Sequence, residues 1–164
     1  MKTLIVYYSW HNGNTKRIAE MIQKELNADI TAIDTLTPYP AVYRQASDQG
    51  KREVETGYCP ALKPLPFEVR EYDRIIIGTP TWWYTMAPAV RTFLTENDFS
   101  GKTVVPFMTN AGWPGTVIQD MCELAEGAEI RFPKEIRFDS DGGDRLVTGL
   151  SEIDRWIDEL KKES

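Results

Sequence analysis

Three short segments of this chain carry residue types from which a binding site can be built. The first, Ser9 to Thr15, reads SWHNGNT, with hydroxyls at both ends, two asparagines, one glycine and no acidic residue. Leading into a helix, such a loop sets neutral hydrogen-bond donors beside the positive end of a helix dipole, which suits a phosphate. The same residue types dominate ordinary strand-to-helix turns, so this loop taken alone leaves both readings open. It carries neither GxxxxGK[ST] nor GxGxxG, which excludes a P-loop nucleotidase and a dinucleotide fingerprint. His11, the single histidine of the chain, could titrate against a phosphate or sit in a solvated loop.

The second segment, TPTWWYTMAP from Thr79, puts Trp82, Trp83 and Tyr84 side by side. Three adjacent large aromatics past the end of a strand cannot all enter the core, so at least one is expected to offer a flat face to a planar ligand. Packing beneath neighbouring loops is the competing reading. In the third segment, TNAGWPG from Thr109, Ala111 and Gly112 would let backbone groups approach a heterocycle closely, and Trp113 could cover its edge. A left-handed turn feeding a Pro-started helix accounts equally for that sequence. Together the three loops describe a phosphate pocket beside an aromatic wall and a backbone rim.

These loops need a scaffold, and the apolar pattern supplies one. Thr3–Tyr8 is a continuous apolar, β-rich run of the kind buried on both faces of a parallel sheet. From Thr15, Ile18, Ala19, Ile22 and Leu26 recur at helical steps, with Asn14 as the predicted N-cap. Further strands are predicted over Asp29–Ile33, Arg74–Gly78, Thr103–Met108 and, whole or split, Glu129–Phe138. Pro106 would occupy a bulge or an unpaired position in its strand. Helices are predicted over Ala41–Glu55, from Pro88 through Leu94, from about Pro114 through Ala125, and from Ser151 as cap through Leu160. Strands alternating with helices predict an α/β doubly wound sheet, a single domain over 1–164, with ligands outside the carboxyl ends of the strands.

Composition narrows the partners. Lys and Arg number 19 against 25 Asp and Glu, a net charge of −6, which repels phosphate backbones and anionic membranes, so nucleic acid and membrane insertion are not expected. No segment resembles a signal peptide or a spanning helix, which predicts a cytoplasmic protein. Cys59 and Cys122 have neither CxxC spacing nor a neighbouring histidine, so no metal site is expected.

The chain resembles the flavodoxin family, in particular members with a Pro-x-Trp second loop. The resemblance rests on the LIVYYS strand, the hydroxyl-rich loop ending in GNT, Thr15, Ala19 and Ile22 of a TxxxAxxI pattern, GTPTWWYTMAPAVRTFL and DFSGKTVVPFMTNAG. It implies a flavodoxin-like five-stranded parallel sheet of order 2-1-3-4-5 with helices on both faces, and FMN as cofactor. Ser9, Asn14 and Thr15 would hold the phosphate. The first loop is one residue longer than usual, so His11 and Asn12 share the extra position as phosphate contacts. Thr79, Pro80, Thr81 and Trp82 would flank the isoalloxazine, and Asn110, Ala111 and Gly112 would form its other rim.

The implied function is that of an FMN electron carrier delivering low-potential electrons to redox partners. A neutral phosphate nest and an acidic surface both oppose added negative charge on the flavin and lower its potential. The acidic face would steer basic partners into transient docking. An NAD(P)H-dependent FMN oxidoreductase acting on quinones or other small acceptors is the alternative. A phospho-receiver domain is disfavoured because Ser9 and Thr79 stand where it needs aspartates.

Overall fold

Period-two alternation along the central strands decides which helix each side chain meets. The computed structural model describes residues 1–10 and 12–163, so the expectation for His11 lies outside the described residues. Strand β1 (Thr3–Tyr7) leads to helix α1 (Asn14–Leu26), β2 (Asp29–Ala32) and α2 (Tyr43–Thr56). Next come β3 (Arg74–Trp82), β4 (Thr85–Met86), α3 (Pro88–Glu96), β5 (Thr103–Asn110) and α4 (Val117–Leu124). The split strands β6 (Glu129–Ile130) and β7 (Lys134–Arg137) precede α5 (Leu150–Lys162). Leu4, Val6, Ile75, Ile77, Val104 and Met108 pack with α3 and α4 on one face of the sheet. Ile5, Tyr7, Ile76, Val105 and Phe107 pack with α1 and α5 on the other.

The parallel sheet runs β2-β1-β3-β5 and then β6 with β7, the 2-1-3-4-5 order with its fifth position split. The short β4 is an addition, antiparallel to β3. Pro106 explains the split. Val104 and Asn110 turn their carbonyls toward the fifth position, accepting from Arg131 N at 3.0 Å and Phe138 N at 2.8 Å. Even-numbered residues of β5 therefore face that way, and the N–H that Pro106 lacks falls at the gap between β6 and β7. On its other side Pro106 stays in register with Ile77.

Helices α2 and α4 start at Tyr43 and Val117, past the expected Ala41 and Pro114, and at two other helices the cap differs from the sequence expectation. Gly13, with φ +72°, caps α1 in place of Asn14, because a left-handed residue is needed to turn the chain into the helix and glycine adopts it without strain. Gly149 caps α5 in place of Ser151, its carbonyl accepting from Glu152 N at 3.0 Å and Ile153 N at 3.2 Å. At the far end of the sheet the buried Arg74 donates from Nε to Thr3 Oγ1 at 3.0 Å and from Nη1 to the Leu160 carbonyl at 2.8 Å. It thereby satisfies an end-of-helix carbonyl of α5 and ties that helix to β1. Among the described residues no helix is long and apolar enough to cross a membrane.

Candidate functional site

At the carboxyl ends of β1, β3 and β5 the chain encloses a cleft of about 360 Å³, within the size range of small-molecule sites. The first loop forms one end. Asn12, Asn14 and Thr15 line it, and the first-turn N–H groups of Asn14 and Thr15 belong to the set that a helix leaves without internal partners. Ser9 is not on the wall. Its Oγ accepts from Lys16 N at 3.2 Å, so it steadies the first turn of α1. Thr15, 1% exposed, shares a 2.9 Å hydroxyl hydrogen bond with Thr109 at the end of β5, joining the first and third loops.

The second segment is not an open loop. β3 runs through it to Trp82, and Thr81 and Trp82 pair with Met86 and Thr85 of β4 across a two-residue tip. Trp83 and Tyr84 at that tip have φ of +51° and +68°, the left-handed geometry of a type I′ turn that matches the twist of a hairpin. Thr79 is fully buried and off the wall; its hydroxyl donates to the Pro80 carbonyl at 2.8 Å and accepts from Ala87 N at 3.0 Å. Pro80 and Thr81 line the cleft, and Thr81 Oγ1 donates to the Thr109 carbonyl at 3.1 Å.

The aromatic triplet divides its tasks. Trp82 lines the cleft and is wedged among Tyr39, Tyr8 and Trp10, with ring centroids at 5.1, 5.7 and 6.0 Å. A Cβ on Gly50 of α2 would stand 2.9 Å from this ring, so glycine is what lets the helix approach. Trp83 crosses to α2, donating from Nε1 to the Ser47 carbonyl at 3.0 Å, with Lys51 Nζ 5.1 Å from its ring centroid. Tyr84 points away and is exposed. In the third loop Asn110 and Ala111 line the cleft. Gly112, off the wall at φ +110°, donates its N–H to Asn110 Oδ1 at 2.6 Å. Trp113 is exposed and covers no edge of the cleft.

The lining fits a flavin mononucleotide: neutral donors at one end, indole rings along a side and backbone at a rim. A sequence profile of the family described as Flavodoxin matches residues 2–129. The chain belongs to the flavodoxin family. Flavodoxin 1 of Escherichia coli K12 is 27% identical over 106 residues, covering 62% of this chain and 46% of that protein. The flavodoxin of Haemophilus influenzae is 29% identical over 103 residues, covering 60% of this chain and 45% of its own. The chain thus spans about half the length of these relatives. A solved flavoprotein from Lactobacillus acidophilus NCFM, in complex with FMN, superposes with a TM-score of 0.71 at 27% identity, covering 94% of this chain and 97% of that one.

This flavodoxin-family cleft has two walls that loop reasoning missed. Tyr43, Ala46 and Ser47 of α2 form one. Nothing in a polar helix far from the three loops announces such a role; only the packing of Gly50 on Trp82 does. The other is the Asp139–Asp144 segment, DSDGGD, whose Asp139, Gly142 and Gly143 line the cleft with the residues of the first loop. Asn12 Nδ2 donates to the Gly142 carbonyl and Asn14 Nδ2 to that of Gly143, the latter at 3.0 Å. Its composition is that of a turn organised by an aspartate, which is a readable signal.

Asp139 holds this segment by accepting from Gly143 N at 2.9 Å, Asp141 N at 3.2 Å and Arg145 N at 2.9 Å. These backbone donors, those of Arg145 and Gly143 foremost, hold its carboxyl below the usual aspartate range. The lowered folded value means that the contribution is fully present above the unfolded aspartate pKa of about 4 and is lost as pH falls through the folded value. Amide protection factors at Gly143 and Arg145, taken against the intrinsic rate at each pH, are therefore expected to fall below about pH 4. In Asp139→Asn they are expected to be low already at neutral pH, with no such acid step; an unchanged protection profile would contradict the assignment.

Proposed function

We propose that this chain is a cytoplasmic FMN-binding electron carrier that exchanges electrons with partner proteins. The observation that carries the reading is the bridge from Trp83 to the Ser47 carbonyl, which joins the hairpin to α2 along the aromatic side of the cleft. That bridge narrows the approach of a second ring, such as a nicotinamide, to the aromatic side of the cleft.

When bound, FMN supplies the redox chemistry. Asn12, Asn14 and the first-turn N–H groups of α1 hold the phosphate, with Thr15 beneath them. Ser9 supports this set through the helix cap, and His11 belongs to the same loop. Pro80, Thr81 and Trp82 orient the ring system and exclude water from it. Asn110 and Ala111 form the opposite rim, where Gly112 N–H fixes the Asn110 amide; Thr79 acts at one remove, by holding the hairpin. Among the described residues lining the cleft Asp139 is the single charged one, and its carboxylate, like the net charge of −6, opposes further negative charge on a bound flavin. The exposed Asp141 and Asp144 beside the cleft suit transient, salt-sensitive docking of basic partners.

Stopped-flow mixing of FMN-loaded protein with NADPH separates a carrier from a nicotinamide-dependent oxidoreductase. The expected result is no bleaching of the flavin on the seconds scale until a flavin reductase is added. Rapid bleaching by NADPH alone would overturn the carrier reading and favour the reductase.

A further inference from the structure

Behind the aromatic wall lies a buried carboxylate that the carrier function does not use. Glu53 of α2 is 8% exposed. It accepts from the Tyr39 hydroxyl at 2.6 Å and from Gln49 Nε2 at 2.9 Å. The Tyr39 ring meets Trp82 nearly edge-on, with centroids 5.1 Å apart and planes at 74°, and Trp82 lines the cleft. One unbroken set of contacts thus runs from the cleft through an indole and a phenol to a carboxylate. Packing alone does not call for this arrangement, because burying an ionisable group costs free energy that an apolar side chain of similar size would not. Among the described residues, Tyr39 is the phenol beside Trp82 that donates to a carboxylate; Tyr8 touches the same indole without such a bond. Burial first, and the bond to Glu53 second, raise the Tyr39 phenol well above its ordinary range, so at rest it keeps its proton.

We infer that Trp82, Tyr39 and Glu53 form a one-electron exit from the cleft, in which an oxidising equivalent comes to rest on Tyr39 while Glu53 takes the phenolic proton. The inference rests on the FMN reading. The oxidant is the bound flavin excited by blue light. One electron passes from the Trp82 indole to the flavin, and one from the Tyr39 phenol refills Trp82. The Tyr39 O–H bond breaks as a new O–H bond forms on Glu53 Oε1. The flavin has then gained one electron, Tyr39 is a neutral phenoxyl and Glu53 is a neutral acid; return of the electron and the proton restores all three. The proton must move because an oxidised phenol that kept it would be a cation in a medium of low dielectric. At 2.6 Å it can move without rearrangement. The exit would discharge an excited flavin harmlessly in a protein whose work is electron delivery.

Flash photolysis of FMN-loaded protein, with flavin fluorescence lifetimes and FMN dissociation constants measured alongside, tests this. The wild type is expected to give a tyrosyl transient whose decay slows at least twofold in D2O. Tyr39→Phe is expected to lose it, leaving a tryptophan radical that decays at least tenfold faster. Glu53→Gln, which keeps the phenol but removes the proton acceptor, is expected to cut the tyrosyl yield at least fivefold. Both variants should bind FMN within threefold of the wild type. FMN uptake with no tyrosyl transient in the wild type, or with the transient intact in either variant, overturns the exit and leaves the FMN reading standing. A wild type that takes up no FMN overturns both.

Discussion

Gly78→Ala is expected to cost at least about 3 kcal/mol of folding stability, the upper end of what overpacking a core usually costs. Gly78 lies in the middle of β3, in register with Tyr7 on one side and Phe107 on the other. A Cβ there would stand 2.1 Å from Cζ of Phe107 and 2.6 and 2.7 Å from its Cε atoms. The ring has nowhere to go: it is fully buried and backed by Trp156, centroids 5.8 Å apart. The backbone cannot yield either, since Gly78 is held between paired strands. Against a total stability of about 5–15 kcal/mol for such proteins, the loss is a large displacement of the urea midpoint. Phe107→Leu introduced together with Gly78→Ala is expected to recover part of it, with a coupling energy above about 1 kcal/mol in the double-mutant cycle. Additive losses would mean that the two side chains do not share this space.

Gly115→Ala is expected to leave the core intact and weaken FMN binding at least about tenfold, equivalent to about 1.4 kcal/mol. Gly115 has φ +56°, and a Cβ on it would lie 2.1 Å from the Tyr84 carbonyl oxygen and 2.5 Å from the Tyr84 Cα. That carbonyl belongs to the hairpin tip and accepts from Thr116 N at 2.9 Å. Bulky residues in the left-handed region cost about 1–3 kcal/mol each and persist only where their surroundings enforce it. Here the surroundings are this bond, the Trp83 bridge to Ser47 and the closeness that Gly115 permits. Alanine would push the tip outward and take Trp83 off the cleft. Gly115→Asn should fare no better, because asparagine tolerates the φ but not the contact. Isothermal titration with FMN and urea unfolding, read together, check both halves; an unchanged dissociation constant would mean that the tip does not shape the site.

Much of this was legible in the residues because it is locally encoded. The runs TLIVY and RIIIG can be satisfied only inside a sheet covered on both faces, and the amphipathic stripe of α5, Ile153, Trp156, Ile157 and Leu160, is buried as its spacing requires. Such patterns follow from side-chain periodicity and need no partner to be read. Gly13 and Gly149 cap α1 and α5 where the sequence favours Asn14 and Ser151, because asparagine and serine are the commoner caps whereas chain direction at the entry decides which residue turns.

The site divides the same way. Asn12, Asn14, Thr15, Pro80, Thr81, Trp82, Asn110 and Ala111 sit on one cleft as their positions at strand ends implied, since the sheet order carries those ends together. Ser9 and Thr79 stand behind the wall with their hydroxyls bonded to backbone groups, and Gly112 stands there with its N–H donated to the Asn110 side chain; residue type cannot distinguish a group that serves a ligand from one that serves a turn. Residue order alone thus marked the strands and helices of a doubly wound sheet and the first and third loops, because each depends on local pattern and short connections, while the strand order came with the family resemblance. Tertiary packing decided the hairpin with its left-handed aromatic tip, the α2 wall and the Tyr39–Glu53 pair behind Trp82. Those features depend on side chains far apart in the chain coming within contact of one another, and no local pattern encodes that distance.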